Sequence, residues 1–331
     1  MQDAKYDVLG IGHAIVDVLA QTTDAFLTEH GIAKGTMTLV DGFRAETLGR
    51  AMKGPIEASG GSAANTLVGV ASFGGKTAFI GKVNDDRLGQ AFGEAIHKAG
   101  VAFDTAPLKG NVATASCHIL ITPDGQRSMN TYLGCAPTLS DADMAAEKVA
   151  DAKVLYVEGY LWDTAGAKAA IRTAIAHAKA AKRKVAFTLS DPFCVGRWRD
   201  EFKALLASDI DILFANEAEA MALYETERFD EAFQAIRKWG KTAAITRSAH
   251  GSVVLHDGRV HILDAEPVAH VADTTGAGDQ YAAGFLYGHA RGLPLDVCGR
   301  LGGIAAAEVI SHIGPRPNAS LKSLAAAAGL V

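Results

Sequence analysis

The chain reads Asp273-Thr274-Thr275-Gly276-Ala277-Gly278-Asp279 at the point where a glycine-rich turn meets a carboxylate. An apolar, strand-like stretch ends near Val271 before this turn, and the small residues of 281–290 predict a helix after it. Glycines let such a turn approach a charged group closely, and the free amides at a helix start favour an anion such as phosphate. The pattern therefore indicates an anion hole at Gly276–Gly278, with Asp279 beside it as a general base.

A purely structural interpretation of the same stretch stays open. In that interpretation residues 273–279 form a strand-to-helix turn, and Asp279 only caps the helix. The stretch is not the dinucleotide-binding G-x-G-x-x-G fingerprint, because Tyr281 stands where the third glycine is needed.

The composition is that of a large α/β protein. The chain has 331 residues, 49% of them hydrophobic, with a net charge of -5 and a pI near 6.1, which argues against general nucleic-acid or membrane-surface binding. No apolar run approaches the roughly 20 residues that span a bilayer. The start, Met1–Lys5, leads directly into a strand-like segment, so we expect no signal peptide. Four separated cysteines without a C-x-x-C pair favour reduced thiols and a cytoplasmic location: Cys117, Cys135, Cys194 and Cys298.

Short apolar runs alternate with longer amphipathic segments along the chain. Strands are predicted at 6–12, 77–82, 154–158, 185–189, 212–215, 243–247 and 252–256. Helices are predicted at 63–73, 87–99, 164–182, 230–239, 279–291 and 295–311. Strands that alternate with helices indicate an α/β protein with a mostly parallel sheet covered on both faces.

Two regions interrupt this alternation. Residues 16–58 mix short strand signals with polar, helix-like pieces, and residues 111–136 contain two β segments joined by a turn at 123–125, a typical hairpin signal. A small β-rich lid on an α/β core accounts for both regions. The lid is predicted at about 16–58 and 111–136, and the core at 1–15, 59–110 and 137–331.

Two signatures together resemble the ribokinase-like (PfkB) family of carbohydrate and nucleoside kinases. The stretch 273–279 is followed by Gly284-Phe285. Near the N-terminus, Gly60-Gly61-Ser62-Ala63-Ala64-Asn65 is followed by Gly74-Gly75, Gly81-Lys82-Val83, Asp85 and Gly89. The signatures lie far apart, so the resemblance covers nearly the whole chain. It implies a ribokinase-like three-layer α/β/α core with a small β lid, and a kinase that uses ATP and Mg²⁺.

The resemblance also implies roles on the substrate side. Asp279 takes the proton of the acceptor hydroxyl, Asp17 accepts hydrogen bonds from two sugar hydroxyls, and Asn65 contacts the sugar hydroxyls. Gly60 and Gly61 link the core to the lid as a hinge. From residue type alone, Asp17 is a solvated loop acid and the glycine pair is a plain loop.

On the nucleotide side, Asn216 and Glu219 follow a predicted strand. The resemblance implies that they organise Mg²⁺ and its waters, whereas residue type alone predicts a helix start with acids near its positive end. Thr246, Ser248 and Gly251 follow the next strand, at the sheet edge where the nucleotide would bind. Relatives usually have glycine where Ser248 stands, so contacts at that position stay open.

Three further features are left open. Arg127 resembles an arginine that some nucleoside kinases bring onto the transferring phosphoryl group; the alternative is a solvated turn residue. Gln280-Tyr281 departs from the Ala-Phe of many relatives. Some relatives bind K⁺ with residues like Asp273 and Thr275 together with the loop near 314–316, so a K⁺ site is also open.

The expected substrate is adenosine, phosphorylated on its 5′-hydroxyl to give AMP. This expectation rests on the similarity of residues 127–129 and of the aromatic segment 156–162 to bacterial adenosine-kinase-like members of the family. Those aromatics either stack on a base or pack in the core. A kinase of ribose or another neutral sugar is the alternative, and a non-catalytic nucleoside- or sugar-binding regulator is a third reading. The expected partners are ATP and this small-molecule substrate, and the expected state is a monomer or a homodimer.

Overall fold

The computed structural model describes residues 4–331 as two β-sheets with their covering helices. Residues 1–3 lie outside the described residues. They are part of the predicted core segment 1–15 and of the N-terminal stretch on which the signal-peptide expectation rests.

The described residues form strands and helices at the positions that the sequence predicts, and further elements besides. The strands are β1 (Tyr6–Ile11), β2 (Ile15–Gln21), β3 (Met37–Leu39), β4 (Ile56–Gly60), β5 (Thr77–Ile80), β6 (Val101–Phe103), β7 (Ala115–Ile121), β8 (Arg127–Tyr132), β9 (Ala152–Glu158), β10 (Lys184–Thr188), β11 (Ile212–Asn216), β12 (Thr242–Thr246), β13 (Ser252–His256) and β14 (Arg259–Leu263). The α-helices are α1 (Asp24–Glu29), α2 (Gly42–Ala51), α3 (Ser62–Ser72), α4 (Arg87–Lys98), α5 (Ala146–Ala150), α6 (Ala165–Ala180), α7 (Pro192–Ser208), α8 (Glu217–Tyr224), α9 (Phe229–Trp239), α10 (Ala277–Ala290), α11 (Leu295–Ile310) and α12 (Leu321–Ala327).

The larger sheet has nine strands in the order β14-β13-β12-β11-β10-β9-β1-β5-β6. Neighbours from β12 to β6 pair in parallel, and the pairs β12–β13 and β13–β14 are antiparallel. The carboxyl ends of parallel strands meet at one edge of the sheet, which is where ligands bind in open α/β folds. This edge therefore collects the residues that follow β1, β9, β11 and β12.

Helices cover both faces of the larger sheet, each over its own apolar layer. Helices α6, α7, α8 and α9 pack on one face, where Ile171, Phe202 and Ile236 are buried. Helices α3, α4, α10 and α11 pack on the other face, where Leu67 and Phe285 are buried. The predicted three-layer α/β/α core with a mostly parallel sheet is thus confirmed.

The smaller sheet has five strands in the order β3-β8-β7-β2-β4, drawn from residues 15–60 and 115–132. Strands β7 and β8 pair antiparallel as the predicted hairpin. Helices α1 and α2 lie against one face, where Val18, Leu27 and Leu120 belong to a separate hydrophobic cluster. We call this sheet together with α1 and α2 the lid. Its predicted boundaries and its closure over the core stay predictions.

Two parts of the chain differ from the expectation. The stretch that ends at Val271 is not a strand, because Pro267 cannot donate to a ladder and the Ala272 amide donates instead to the Ile310 carbonyl at 2.8 Å. Helices α5, α7 and α12 and strands β6 and β14 were not among the predicted elements, whereas α8 begins where residue type alone predicts a helix start. Helix α7 bends at Trp198, which has non-helical dihedrals, so its apolar residues do not keep one helical period.

The remaining composition-based expectations concern membranes and thiols. Among residues 4–331, no helix is long and apolar enough to cross a membrane. All four cysteines are buried as free thiols, in agreement with the spacing argument.

Candidate active site

The turn before α10 has the shape that an anion hole needs. Gly276 has a φ of +79°, and a Cβ there would lie 2.6 Å from the carbonyl oxygen of Pro315, so only glycine fits. The amide of Ala277 donates to the Thr274 carbonyl at 3.2 Å and is therefore already paired. The amides of residues 278 and 279 follow in the first turn of α10, where no helical carbonyl reaches them. An anion would therefore meet these two amides, and Ala277 contributes the turn rather than a free donor.

Asp279 lies at the floor of the cleft, with two donors on its carboxylate. Ser62 Oγ donates to Oδ1 at 2.6 Å, and Asn65 Nδ2 donates to Oδ2 at 3.2 Å. Burial raises the pKa of Asp279 to about 6, while these two donors and the nearby Arg316 act to lower it. A carboxylate with a pKa in this range is ionised at neutral pH and is still basic enough to take a proton.

The predicted substrate-side residues come together above Asp279. Asp17 projects from β2 in the lid, and a Cβ on Gly60 would lie 2.4 Å from its Oδ2. Gly61 has a φ of +95°, and a Cβ there would meet the His13 carbonyl oxygen at 2.3 Å. The glycine pair is therefore required by close contacts where the lid strand β4 returns to the core. Burial raises the pKa of Asp17 to about 7.

The face of the lid that carries Asp17 is the face without covering helices. The strand registers place Asp17, Cys117, Thr131 and Leu39 in one row across β2, β7, β8 and β3. The contact of 3.2 Å between Cys117 Sγ and Thr131 Oγ1 agrees with this register. On the same face, Met37, Leu39 and Ile56 are 45%, 52% and 71% exposed. Exposed apolar side chains thus lie on the same face as the residue predicted to bind sugar hydroxyls, with Met37 and Leu39 on β3, three strands along from Asp17.

The nucleotide side of the cleft is continuous with the candidate base. Ser62, Asn216, Glu219, Thr246, Gly278 and Asp279 are among the residues that line one cleft. These residues come from α3, from the ends of β11 and β12, and from the starts of α8 and α10, so the sheet edge brings them together. Three of the predicted nucleotide-side residues, Asn216, Glu219 and Thr246, lie within reach of one bound molecule.

Asn216 and Glu219 bond to each other as a capping box at the start of α8. Glu219 donates its amide to Asn216 Oδ1 at 2.8 Å, and the Glu219 carboxylate accepts from the Asn216 amide at 2.9 Å and from Asn216 Nδ2 at 2.6 Å. Burial raises the pKa of Glu219 to about 7. Each oxygen already holds one hydrogen bond, so the pair suits Mg²⁺ through bound water rather than by direct ligation. Within residues 4–331, no group of three or more His, Cys, Asp or Glu side chains could hold a metal.

Ser248 and Gly251 lie in the turn between β12 and β13 and are not part of this cleft lining. Gly251 has a φ of +74°, and its carbonyl accepts the Arg247 amide at 2.8 Å, so it has a structural reason to be glycine. The Arg247 guanidinium pairs with Glu217 at 3.4 Å and lies over the Phe229 ring. In this arrangement Arg247 is engaged on the protein surface.

Arg127 of the lid reaches the loop before the anion turn. Its Nη2 lies 2.7 Å from Asp273 Oδ2 in an ion pair, and its Nη1 donates to Thr275 Oγ1 at 2.8 Å. Asp273 also accepts from the Thr275 amide at 3.0 Å and from the Gly314 amide at 2.9 Å. Arg127 is therefore not a solvated turn residue, because it joins the lid to the segment that builds the anion hole.

Two residues at the site were missed by the sequence analysis as functional candidates. Arg316 donates to both Asn65 and Ser59 on the substrate side. Glu158, at the end of β9, is 1% exposed and accepts the amides of His13 at 2.7 Å and Ala63 at 2.9 Å. The acid at the end of the apolar strand β9 is a signal that could have indicated Glu158. Arg316 had no comparable signal.

The aromatic segment after β9 packs mostly inside the core. Tyr156 and Trp162 are 1% and 0% exposed, which corresponds to the packing alternative for those two side chains. Tyr160 is partly exposed, and its hydroxyl donates to the Ser190 carbonyl at 3.2 Å.

Comparison with known proteins places the chain in a family. A model of the pfkB family of carbohydrate kinases matches residues 39–321. The solved structure of adenosine kinase from Sinorhizobium meliloti is 52% identical, with a TM-score of 0.92 over 98% of this chain and 100% of that one. A probable sugar kinase protein from Rhizobium etli CFN 42 is 47% identical, with a TM-score of 0.93 over 99% of this chain and 100% of that one.

A more distant relative is also named an adenosine kinase. Adenosine kinase from Saccharomyces cerevisiae is 26% identical over 92% of this chain and 95% of its own length. The ribokinase-like fold expected from the two signatures is confirmed by the solved structures. The chain belongs to the pfkB family of carbohydrate kinases, phosphotransferases that act on an alcohol group with ATP as co-substrate.

Proposed function

We propose that this chain is an adenosine kinase, which transfers the γ-phosphoryl group of ATP to the 5′-hydroxyl of adenosine. One observation carries the proposal: the carboxylate of Asp279 lies beside the free amides at the start of α10, in a cleft shared with Asn216 and Thr246. A base for the hydroxyl and donors for the transferring phosphate are thus adjacent. The resemblance to the Sinorhizobium enzyme, over nearly the full length of both chains, supports the nucleoside as acceptor.

The proposed reaction requires a base, an anion hole and the exclusion of water. The bond between the 5′-oxygen and the γ-phosphorus forms while the bond from that phosphorus to the bridging oxygen of ADP breaks. The hydroxyl proton passes to the Asp279 carboxylate, and ADP leaves with the electron pair. The amides of Gly278 and Asp279 stabilise the charge that develops on the phosphoryl oxygens.

The cations of the site balance the charge of the nucleotide. Asn216 and Glu219 would hold Mg²⁺ through water, and the bound ion would neutralise charge on the phosphate oxygens. Arg127 is 2.7 Å from Asp273 in this state and lies next to the anion turn. While it stays paired with Asp273 and Thr275, the Arg127 guanidinium places its positive charge beside this turn.

The substrate side supports a nucleoside better than a free sugar. Asp17 and Asn65 offer an acceptor and an amide for the ribose hydroxyls, and a missing hydroxyl would leave a buried acceptor unpaired. The exposed side chains of Met37 and Leu39 lie on the same face of the lid as Asp17. A purine base would cover this apolar surface, whereas a free pentose would leave it in water.

A neutral-sugar kinase is the second candidate, since the Rhizobium neighbour bears the name of a probable sugar kinase. It would use the same base and anion hole. The non-catalytic regulator is disfavoured because the carboxylate and the glycine turn are both in place.

Asp279→Asn tests the catalytic assignment. The amide cannot take the proton, so we expect kcat to fall by about a hundredfold to ten-thousandfold with unchanged ATP binding. ATP consumption with Mg²⁺ present is measured over adenosine, inosine, guanosine, ribose, fructose and 2-keto-3-deoxygluconate. Asp230→Asn, at an exposed site on α9, is the matched control.

The outcomes separate the candidate functions. Turnover with adenosine and none with the free sugars supports the proposal. Turnover with ribose or fructose would assign the second candidate function while keeping the mechanism. Near-normal turnover of Asp279→Asn would contradict the general base itself.

A further inference from the structure

An arginine from the loop after α11 enters the substrate side of the cleft. Arg316 Nε donates to Asn65 Oδ1 at 3.0 Å, and Arg316 Nη2 donates to Ser59 Oγ at 3.0 Å. Ser59 lies near the end of β4 in the lid, and Asn65 lies on α3 in the core. One guanidinium therefore joins the loop after α11 to two consecutive elements, β4 and α3, that lie more than 250 positions earlier in the chain.

The contact with Asn65 decides which end of that amide faces Asp279. Arg316 holds the amide oxygen, so the amide nitrogen is turned towards Asp279 Oδ2 at 3.2 Å. The reverse orientation would set the amide oxygen against a carboxylate and the amide NH₂ against a guanidinium, and neither pair can form a hydrogen bond. Arg316 thus fixes the donor that orients the carboxylate of Asp279.

Gln280, which departs from the Ala of many relatives at the position after Asp279, holds Asn65 and the loop of Arg316 in place through its side-chain amide. Its side chain is 0% exposed, and its Nε2 donates at 3.0 Å both to the Asn65 carbonyl and to the Pro315 carbonyl. Pro315 is the neighbour of Arg316 and also lies against Gly276. The residue after the candidate base therefore fixes the loop that presents the arginine.

Arg316 also carries the positive charge that acts on Asp279, while the other charged groups facing it are acids. Asp17 of β2, Glu158 at the end of β9 and Glu219 of α8 are acids that interact with Asp279, and the phenols of Tyr156 and Tyr160 face it as well. Arg316 lowers the pKa of Asp279 and of Asp17. Its own pKa, lowered by burial to about 10, leaves it charged at neutral pH.

We propose that Arg316 is a positioning residue for the catalytic base, acting through Asn65 and through its charge, with Gln280 holding it in place. The inference rests on the general-base role of Asp279 in the proposed function. It extends that role to a residue outside both sequence signatures.

The pH profile of Arg316→Gln tests the electrostatic part. Without the cation, Asp279 binds its proton more tightly, so the acidic limb of kcat/KM moves to higher pH by about one unit. From a starting pKa of about 6, that shift makes the loss of activity about threefold larger at pH 6.5 than at pH 8.5. Thermal unfolding of each variant reports whether the fold is kept.

Two further variants separate orientation from charge. Arg316→Lys keeps the charge but cannot bridge Asn65 and Ser59, so we expect kcat to fall while the acidic limb stays near that of the wild type. Gln280→Met removes the donor to the Pro315 carbonyl at similar volume, and we expect the same changes as in Arg316→Gln at smaller size. The control Arg300→Gln, at an exposed site on α11, should leave both kcat and the acidic limb of kcat/KM unchanged.

The outcomes distinguish this inference from the proposed function. Wild-type rates and profiles in folded Arg316→Gln and Gln280→Met, alongside an inactive Asp279→Asn, would overturn only the role of Arg316. A lowered melting temperature with an unmoved acidic limb would assign Arg316 a structural role and also overturn the proposal. An active Asp279→Asn would remove the base on which both proposals depend.

Discussion

Asp279 must be ionised to accept a proton, and its neighbours set the pH at which this occurs. Burial raises its pKa to about 6 against the opposing effect of Ser62, Asn65 and Arg316. The base is therefore lost as the pH falls through about 6 and is fully available above about 7. We expect kcat/KM to level off above neutrality and to fall by about tenfold per unit well below pH 6. Initial rates at saturating ATP check this, and a limb near pH 4 would contradict the assignment.

The contacts of the Asp273 carboxylate lead to a prediction about the open K⁺ site. Both of its oxygens already hold two contacts, from Arg127, Thr275 and the Gly314 amide. A further cation would have to displace the Arg127 guanidinium. We expect equal rates in K⁺, Na⁺ or tetramethylammonium salts at constant ionic strength. Strong activation by K⁺ alone would show that Arg127 gives way.

Residues of the site differed in how far the sequence could predict them. Asp279 and the glycines lie in one short stretch, where spacing alone indicates an anion turn with a base. Arg316 contacts Asn65 across 251 positions, and Glu158 contacts His13 across 145. Neither pair has a local pattern, because the contact exists only once the sheet has brought the segments together.

Between elements, Glu158 of the core holds the two points where the chain passes between the core and the lid. His13 lies between β1 and β2, and Ala63 lies just after β4, so one carboxylate accepts an amide from each of two connections. Gly12 is part of the same packing, since a Cβ there would lie within 2.7 Å of Ala63 Cβ. A buried acid therefore fixes the backbone on both sides of the lid strands, where the glycine pair also lies.

Glu158→Gln is expected to disturb this joint, because glutamine has one acceptor for two amides. Burial raises the pKa of Glu158 to about 7, so its contribution to the free energy of unfolding is present below its ordinary pKa and is lost as the pH rises through about 7. The variant lacks this term. Relative to the wild type, its free energy of unfolding should thus improve between pH 5 and pH 8, while its kcat falls.

Urea unfolding at the two pH values measures this difference, with exposed Glu147→Gln as the control. An identical difference at pH 5 and pH 8 would mean that Glu158 is not the titrating group.

Elements with regular periodicity were predictable, and those with a bend were not. The helix over Ala165–Ala180 has buried residues at helical spacing, and its sequence predicts it to within two residues. Helix α7 has a bend at Trp198, which shifts the apolar face from one half to the other. The existence of α7 is therefore determined by its packing in the fold, because no stretch of its sequence has a continuous apolar face.

For the whole molecule, the edges of the lid sheet bear on the oligomeric state. One of its faces is covered by α1 and α2, and its edge strands β3 and β4 have only three and five residues. Short edges pair poorly with a second sheet. We therefore expect a monomer of 34.5 kDa in light scattering at micromolar concentration. A stable dimer would contradict this and would direct attention to β3 and β4.

The small cluster of Val18, Leu27 and Leu120 gives the lid a hydrophobic interior of its own. Because this side of the lid is already packed, the free energy of the predicted lid closure would depend on what its other side meets. That side presents Met37, Leu39 and Ile56 to water. In a closed complex the base of a nucleoside would pack against these apolar side chains and remove them from water, in the way that a buried side chain fills a hydrophobic core. The lid would then close more favourably over a nucleoside than over a free sugar, and this difference would discriminate between the two before phosphoryl transfer begins.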